Sequence, residues 1–399
     1  MSSQDVTNEV MGREKVTELI QHLLDRGPVM APKERPDQPG FHLFDWVDGP
    51  EEVVLDYVTT TMPPKKAFFR PVEPLFKFSG GEEPKDPPEV EPLRDESRFA
   101  LFGVHPCDLA AIDSLDRAYS QPPADSRWAL NRKRASIVVG VDCLPDEYCF
   151  CTSVETCRSR NLCDIFLTPI DNGDRYLAEL LTPAGRKLAD TLRLADASPD
   201  SNPDPDPDPD SNPDPDPDPD PDPDSNPDPD PEALRAAEQW REKKEQQMEA
   251  KLELSVADFA DTLEAGGLTP VWQDVAERCY SCGSCNTTCP TCFCFNVYDH
   301  FDPSLTSGVR VRSWDSCQLA DFALVAGGHN FRGERWQRVR HRWHRKFSYL
   351  YRNLGRPYCT GCGRCSRACT ADINIVDVCN QLIEHARKEH ARKEHARKE

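Results

Sequence analysis

Two runs of cysteine stand out for what their spacing could do. The first reads Cys279-Tyr-Ser-Cys282-Gly-Ser-Cys285-Asn-Thr-Thr-Cys289-Pro290, the second Cys359-Thr-Gly-Cys362-Gly-Arg-Cys365-Ser-Arg-Ala-Cys369. Both follow C-x2-C-x2-C-x3-C. A cubane of iron and sulfide needs four thiolates at the corners of a tetrahedron. Three cysteines at two-residue spacing wrap three irons in one tight loop, and the fourth points away to serve the other cluster. This logic assigns Cys279, Cys282, Cys285 and Cys369 to one [4Fe–4S] cluster, and Cys359, Cys362, Cys365 and Cys289 to a second. Zinc also takes four thiolates, but its ligands come as separated C-x2-C pairs. Two complete four-cysteine runs select iron and sulfide. Gly283, Gly361 and Gly363 let the backbone approach the sulfides.

The chain has 18 cysteines in all, and a second constellation lies far upstream. Cys107 opens a helical stretch after His-Pro, Cys143 follows the apolar run Ile137–Val141, and Cys149 and Cys151 sit in Cys-Phe-Cys. Four cysteines on loops make a candidate third cluster; the alternative is a set of buried, inert thiols. Cys292, Cys294 and Cys317 repeat the Cys-x-Cys pattern but number one short of a full site, so packing near the clusters is expected of them. Cys157, Cys163 and Cys379 have no recognisable partners. His329, Arg332 and Lys346 could donate to cluster sulfur, although a solvated face or subunit contact is the plainer expectation.

The elements that must position these residues point to an α+β chain: an N-terminal mixed α/β domain followed by a helical dicluster ferredoxin-like domain. Residues 1–195 show helical periodicity over Val16–Leu24 and strand-like runs at Val53–Val58, Phe68–Phe69 and Ile137–Val141. A hairpin is predicted over Ile165–Leu181, turning at Asp171–Gly173. Residues 196–232 are an Asp-Pro tract with the composition of a disordered linker. Residues 233–384 open on strong helix formers, with a second helix over Val256–Ala265 ended by Gly266–Gly267. Cys279 and Cys359 lie 80 residues apart, too far for a compact ferredoxin, so helices are expected to lead out of each cluster loop. Residues 385–399 repeat a five-residue charged unit that drifts round a helix without forming an apolar stripe.

Charge and hydropathy exclude some classes. The formal charge is −21, but 13 aspartates between Asp200 and Asp230 account for the excess and the remainder carries −8. The Arg-rich, aromatic segment 331–356 suggests a nucleic-acid contact as an alternative, yet it lies between two metal motifs. No apolar run reaches the roughly 18–20 residues of a membrane span. The N-terminus lacks a basic region followed by an apolar stretch, and so many cysteines without a secretory signal favour metal ligation in a reducing, cytoplasmic setting.

Six strings then carry a resemblance: FGVHPCDLAAIDSLDR from Phe102, CFCTSV from Cys149, CPTCFCFNV from Cys289, WDSCQ from Trp314, GGHNFR from Gly327 and CTGCGRC from Cys359. Over about Phe102 to Val378, the sequence resembles the beta subunit of soluble sulfhydrogenases and the dicluster iron–sulfur component of anaerobic sulfite reductase. His105 stands where the family has Arg, and Thr370 where it has Pro; neither change removes a ligand. The resemblance implies an electron-transfer subunit between a flavin/NAD(P)-binding subunit and a catalytic oxidoreductase subunit, either a hydrogenase or a sulfite reductase. A free-standing ferredoxin-like carrier is the alternative, against which stands the long N-terminal region. The chain has no Gly-rich dinucleotide fingerprint of its own.

Overall fold

The computed structural model describes residues 6–80, 87–160, 162–196, 230–267 and 269–398. The Asp-Pro tract expected to be disordered therefore lies almost wholly outside the described residues. Strands β1 (Thr7–Gly12), β2 (Val29–Arg35), β3 (Gln38–Val47), β4 (Val72–Ser79), β5 (Glu89–Pro92), β6 (Phe99–Val104), β7 (Ala135–Val141), β8 (Ile165–Ile170) and β9 (Arg175–Leu180) belong to the N-terminal half. Strands β10 (Phe295–Phe301) and β11 (Ser307–Trp314) lie between the cysteine motifs.

Seven strands form one sheet in the order β1-β9-β8-β7-β6-β2-β3. Its centre, β8-β7-β6-β2, is parallel, and each edge is closed by an antiparallel neighbour. β6 reads Phe-Ala-Leu-Phe-Gly-Val and is buried at every position, as befits a strand covered on both faces. Ala100 and Phe102 face the helices Arg13–Arg26 and Pro183–Asp196, while Leu101 packs with Leu109, Ile112 and Leu115 of the helix Pro106–Tyr119. Pro106 starts that helix at its first turn, where a missing N–H costs nothing.

Two of the strands expected from the sequence are absent among the described residues. Val53–Val58 and Phe68–Phe69 fall in irregular chain round a short 3-10 turn, Pro64–Ala67. Leu55, Tyr57, Phe68 and Phe69 are nevertheless buried against the sheet, whereas Val58 is exposed. The predicted hairpin over Ile165–Leu181 is present as β8 and β9.

The C-terminal half is mostly helical, with a core of Phe259, Leu263, Trp272, Val339, Trp343, Phe347 and Leu382. The segment between the motifs departs from the helical expectation. β10 and β11 form a hairpin, and β11 pairs with β4 of the N-terminal half in a four-stranded sheet, β10-β11-β4-β5. Arg312 of β11 is buried against Glu73 of β4 at 2.7 Å. The two halves are interlocked by backbone pairing. The charged repeat continues the final helix, Ile375–Lys398, as an exposed extension.

Candidate iron–sulfur centres

The helix Pro270–Arg278 delivers the chain to Cys279, and the loop then turns at Gly283 into a short helical turn, Ser284–Thr287. The second motif repeats this construction: Gly363 leads into Arg364–Arg367. Cys279, Cys282 and Cys285 line one cavity with Cys365 and Cys369 of the other loop. Its walls include Val275, Val339, Trp343, Ile373 and Ile375. Cys282 is exposed, whereas burial, opposed by Arg342, pushes the Cys285 thiol up to about 12.

Cys289, Cys359, Cys362 and Cys365 gather on the inner side. Burial pushes the Cys362 thiol up to about 11 against the pull of Arg364, and Cys289 and Cys365 lie close enough to act on it. Lys346 sits on a π-helical turn, Arg345–Tyr349, and is 4% exposed. Its Nζ donates to Cys289 Sγ at 3.1 Å and to Thr291 Oγ1 at 2.7 Å. Burial works against the Lys346 charge, but Cys289, Cys292 and Cys359 carry its pKa upward overall. The sequence places Lys346 on a solvated face; instead the π turn aims it inward at sulfur, as such turns often do at functional sites. His329 stays outside, edge-on to Phe331. Arg332 holds Arg338 through its carbonyl.

The donor set fits clusters. Among the described residues no three His, Cys, Asp or Glu side chains close on one point as a single-ion site would; the thiols stand round a cavity. Cys285, Cys359 and Cys362, whose thiols burial pushes upward, would become thiolates where metal supplied the compensating charge. Buried Lys346 and Arg342 would then complement the negative charge of a thiolate-bound cluster.

The upstream cysteines come together as well. Cys107 lies near Cys143 and Cys362, and Cys149 near Cys143 and Cys362. Lys244, from the helix Pro231–Gln246, is buried among them; it pairs with Asp142 at 2.5 Å and donates to the Cys157 carbonyl at 2.7 Å. Cys151 shares a hydrogen bond with Cys157, a partner the sequence did not reveal, and lies 3.9 Å from Met248 Sδ. This group adjoins the second loop, since Phe150 N–H donates to the Gly361 carbonyl at 2.8 Å and Thr156 Oγ1 to that of Thr360 at 2.7 Å. Gly361 and Gly363 have φ of +66° and +67°; a Cβ on the first would collide with the Cys151 backbone, and one on the second would stand 2.6 Å from Tyr148. The glycines thus serve a docking of backbone on backbone. Cys163 and Cys379 are buried in the two cores, outside these groups. Cys292, Cys294 and Cys317 meet beside Asn286.

Two further side chains of the N-terminal half reach the cluster loops. Lys65 Nζ donates to the carbonyls of Cys289 and Cys292 at 2.8 and 2.6 Å. Asp108 receives both arms of Arg364 at 2.6 Å, and the pair is 0% and 2% exposed. Only their position beside cysteines in sequence (Asp108 after Cys107, Arg364 before Cys365) hinted at the latter pair.

The Arg-rich segment is largely committed to internal contacts. Arg338 donates to carbonyls of Gln318, Arg332 and Gly333, Arg342 to Asn286, and Arg352 to Glu264, while Arg356 pairs with Asp113. Phosphate-binding arginines would have to be free to reach outward, so this segment gives the nucleic-acid alternative no support.

The 4Fe-4S dicluster domain family matches residues 278–373, the interval that holds both loops. Sulfhydrogenase 2 subunit beta of Pyrococcus furiosus is 33% identical over 342 residues, covering 86% of this chain and 89% of that protein. The chain belongs to the sulfhydrogenase beta-subunit family. The likeness to that beta subunit extends well beyond the matched dicluster interval, so the α/β half is part of what the family shares. Among the described residues of this family member, no helix is long and apolar enough to cross a membrane.

Proposed function

We propose that this chain is the electron-transfer subunit of a hydrogenase-type complex, relaying electrons between a flavin/NAD(P)-binding subunit and a catalytic subunit, a hydrogenase or a sulfite reductase. The observation that carries the proposal is the succession of thiol groups through the molecule. It runs from exposed Cys282, through the inner set at Cys289 and Cys362, to Cys107 and Cys149 in the α/β half. In this reading Cys279, Cys282, Cys285 and Cys369 hold one [4Fe–4S] cluster, Cys359, Cys362, Cys365 and Cys289 the second, and Cys107, Cys143, Cys149 and Cys151 a third. Bound clusters supply one-electron chemistry. The protein's own part is to exclude water with its apolar walls and to stabilise negative charge on sulfur through Lys346, Arg342 and Lys244.

The relative is itself a beta subunit of a sulfhydrogenase, which favours hydrogenase partners over a solitary carrier. Purification under anaerobic conditions from the native host tests the whole reading. About eight irons per chain are expected, or about twelve with the third cluster, at four per cubane. A flavoprotein and a catalytic subunit should accompany the chain. An iron-free chain, or an iron-loaded one that stays alone at native expression levels, would overturn it.

A further inference from the structure

Cys294 and Cys317 flank the open end of the β10–β11 hairpin. Phe295 and Trp314 form the pair nearest that end, and the Asp315 N–H extends the pairing by donating to the Cys294 carbonyl at 3.0 Å. This closure brings Cys317 to Cys294, and the two thiols share a hydrogen bond. They stand 23 residues apart in the chain and belong to neither C-x2-C-x2-C-x3-C run. Cys292 differs, because its thiol pairs with Cys289, a ligand of the second cluster in the proposed function.

The two thiols have different surroundings. Cys294 is half-buried, next to exposed Phe295. Cys317 is 4% exposed and is met by two side-chain amides: Asn286 Nδ2 donates to its Sγ at 3.1 Å and Gln318 Nε2 at 3.7 Å. Both amides are anchored elsewhere, Asn286 on Ser316 Oγ at 2.9 Å and Gln318 on the Arg338 carbonyl at 2.8 Å. An inert core thiol sits among apolar groups. Donors fixed on sulfur instead favour the thiolate, which is the nucleophile of thiol–disulfide exchange. An accessible thiol thus lies against a shielded one whose donors are already in place.

We propose that Cys294 and Cys317 are a reversible dithiol–disulfide pair, separate from the cluster ligands. The oxidant is a small organic disulfide, RSSR. Cys294 thiolate attacks one of its sulfurs, the S–S bond breaks, and RSH leaves after taking up a proton. Cys317 thiolate then attacks the Cys294 sulfur and displaces the second RSH. Two protein thiols and RSSR become one protein disulfide and two RSH, so two electrons and two protons pass to the external disulfide. The new bond ties the start of β10 to the chain after β11. It also takes the Cys317 thiol from Asn286, which follows Cys285 in the first cysteine loop and accepts from Arg342 Nε at 3.2 Å. The state of the pair is thereby felt in that loop. No step involves a cluster, so the inference stands apart from the electron-transfer proposal.

For the test, the anaerobically purified full-length chain is incubated with oxidised glutathione, quenched in acid, alkylated and digested for mass spectrometry, with visible absorbance followed in parallel. The Cys294 and Cys317 peptides should appear joined, with both thiols lost to alkylation and the absorbance retained. Dithiothreitol should return both thiols. In Cys317→Ser, Cys294 should carry a glutathione adduct, the trapped first step, whereas Cys294→Ser should leave Cys317 unmodified. Separate alkylation of both cysteines in the oxidised wild type would overturn the assignment. So would a link that forms only as the absorbance bleaches, since it would then be a product of cluster loss. The wild-type digest decides the matter even where neither variant folds. An iron-free chain that still forms the link would sink the proposed function alone, so the two failures are distinguishable.

Discussion

Asp108 and Arg364 join the two halves through the most enclosed ion pair in the described structure, and removing the carboxylate should be expensive. Both guanidinium arms reach Asp108 at 2.6 Å, and Arg364 retains only Thr60, through its carbonyl at 2.9 Å and its hydroxyl at 3.2 Å. Breaking a buried pair from one side costs about 3–5 kcal/mol, because the surviving charge is left uncompensated. Cys362 and Cys107 lie close to Arg364 and offset part of that loss, so Asp108→Ala should fall at the lower end, about 3 kcal/mol. The readout is the rate of visible-absorbance loss in guanidinium under anaerobic conditions, since a cluster protein unfolds irreversibly and its stability is a rate. If the pair is broken in the rate-limiting step, 3 kcal/mol corresponds to roughly 150-fold faster loss.

The single variants Asp108→Leu and Arg364→Met, with the double variant Asp108→Leu/Arg364→Met, form a closed cycle. Well-packed apolar residues often replace a buried pair at little cost, so the double variant should lose absorbance more slowly than Asp108→Ala alone. A change within about threefold for Asp108→Ala, the size of a surface substitution, would refute the argument. So would a double variant that is the plain sum of the singles, because coupling across the pair is the claim.

Cys289→Ser should alter the paramagnetic signal of the cluster held by the second motif; a change confined to the first motif's cluster would show that the ligands are not crossed. Gly361→Ala should destabilise the protein by more than about 2 kcal/mol, since a left-handed backbone alone costs an alanine about 1–2 and its Cβ meets the Cys151 backbone. Thermal unfolding of the anaerobic protein reads this directly, and an unshifted midpoint counts against the docked arrangement. Lys346→Met should lower the reduction potential of the second motif's cluster by withdrawing a cationic donor from Cys289 Sγ. Roughly 60 mV corresponds to each 1.4 kcal/mol of differential stabilisation, and a potentiometric titration showing no fall would remove Lys346 from cluster tuning.

What could be read from the sequence was what depends on neighbours in the chain. The C-x2-C-x2-C-x3-C spacing, the Asp171–Gly173 turn and the helix ended by Gly266–Gly267 are local signals, and each describes a local object. The β10–β11 hairpin is locally written too: Val309 and Val311 alternate with Arg310 and Arg312 at the period of a strand. Its neighbouring cysteine motifs draw the expectation toward helix. Val53–Val58 and Phe68–Phe69 fail for the opposite reason, because apolar runs of that length fit a buried irregular segment as well as a strand. Lys65 could not be read at all, and Lys346 only as the less expected of two readings. A lysine in sequence looks like surface, and only tertiary structure shows sulfur or carbonyl oxygen where solvent is expected.

The cluster loops are consequently not a ferredoxin with a passenger domain. The second loop is held by Phe150, Thr156 and Asp108, and the chain after Cys289 by Lys65, all from the α/β half. β4 supplies the strand on which β11 is laid, and β11 in turn fixes Cys317 opposite Cys294. Remove the N-terminal half, and each cluster loop loses contacts that its own domain does not replace, while Lys346 and Arg342 remain buried with sulfur as their only compensating charge. The α/β half is therefore part of what holds both cysteine loops in place.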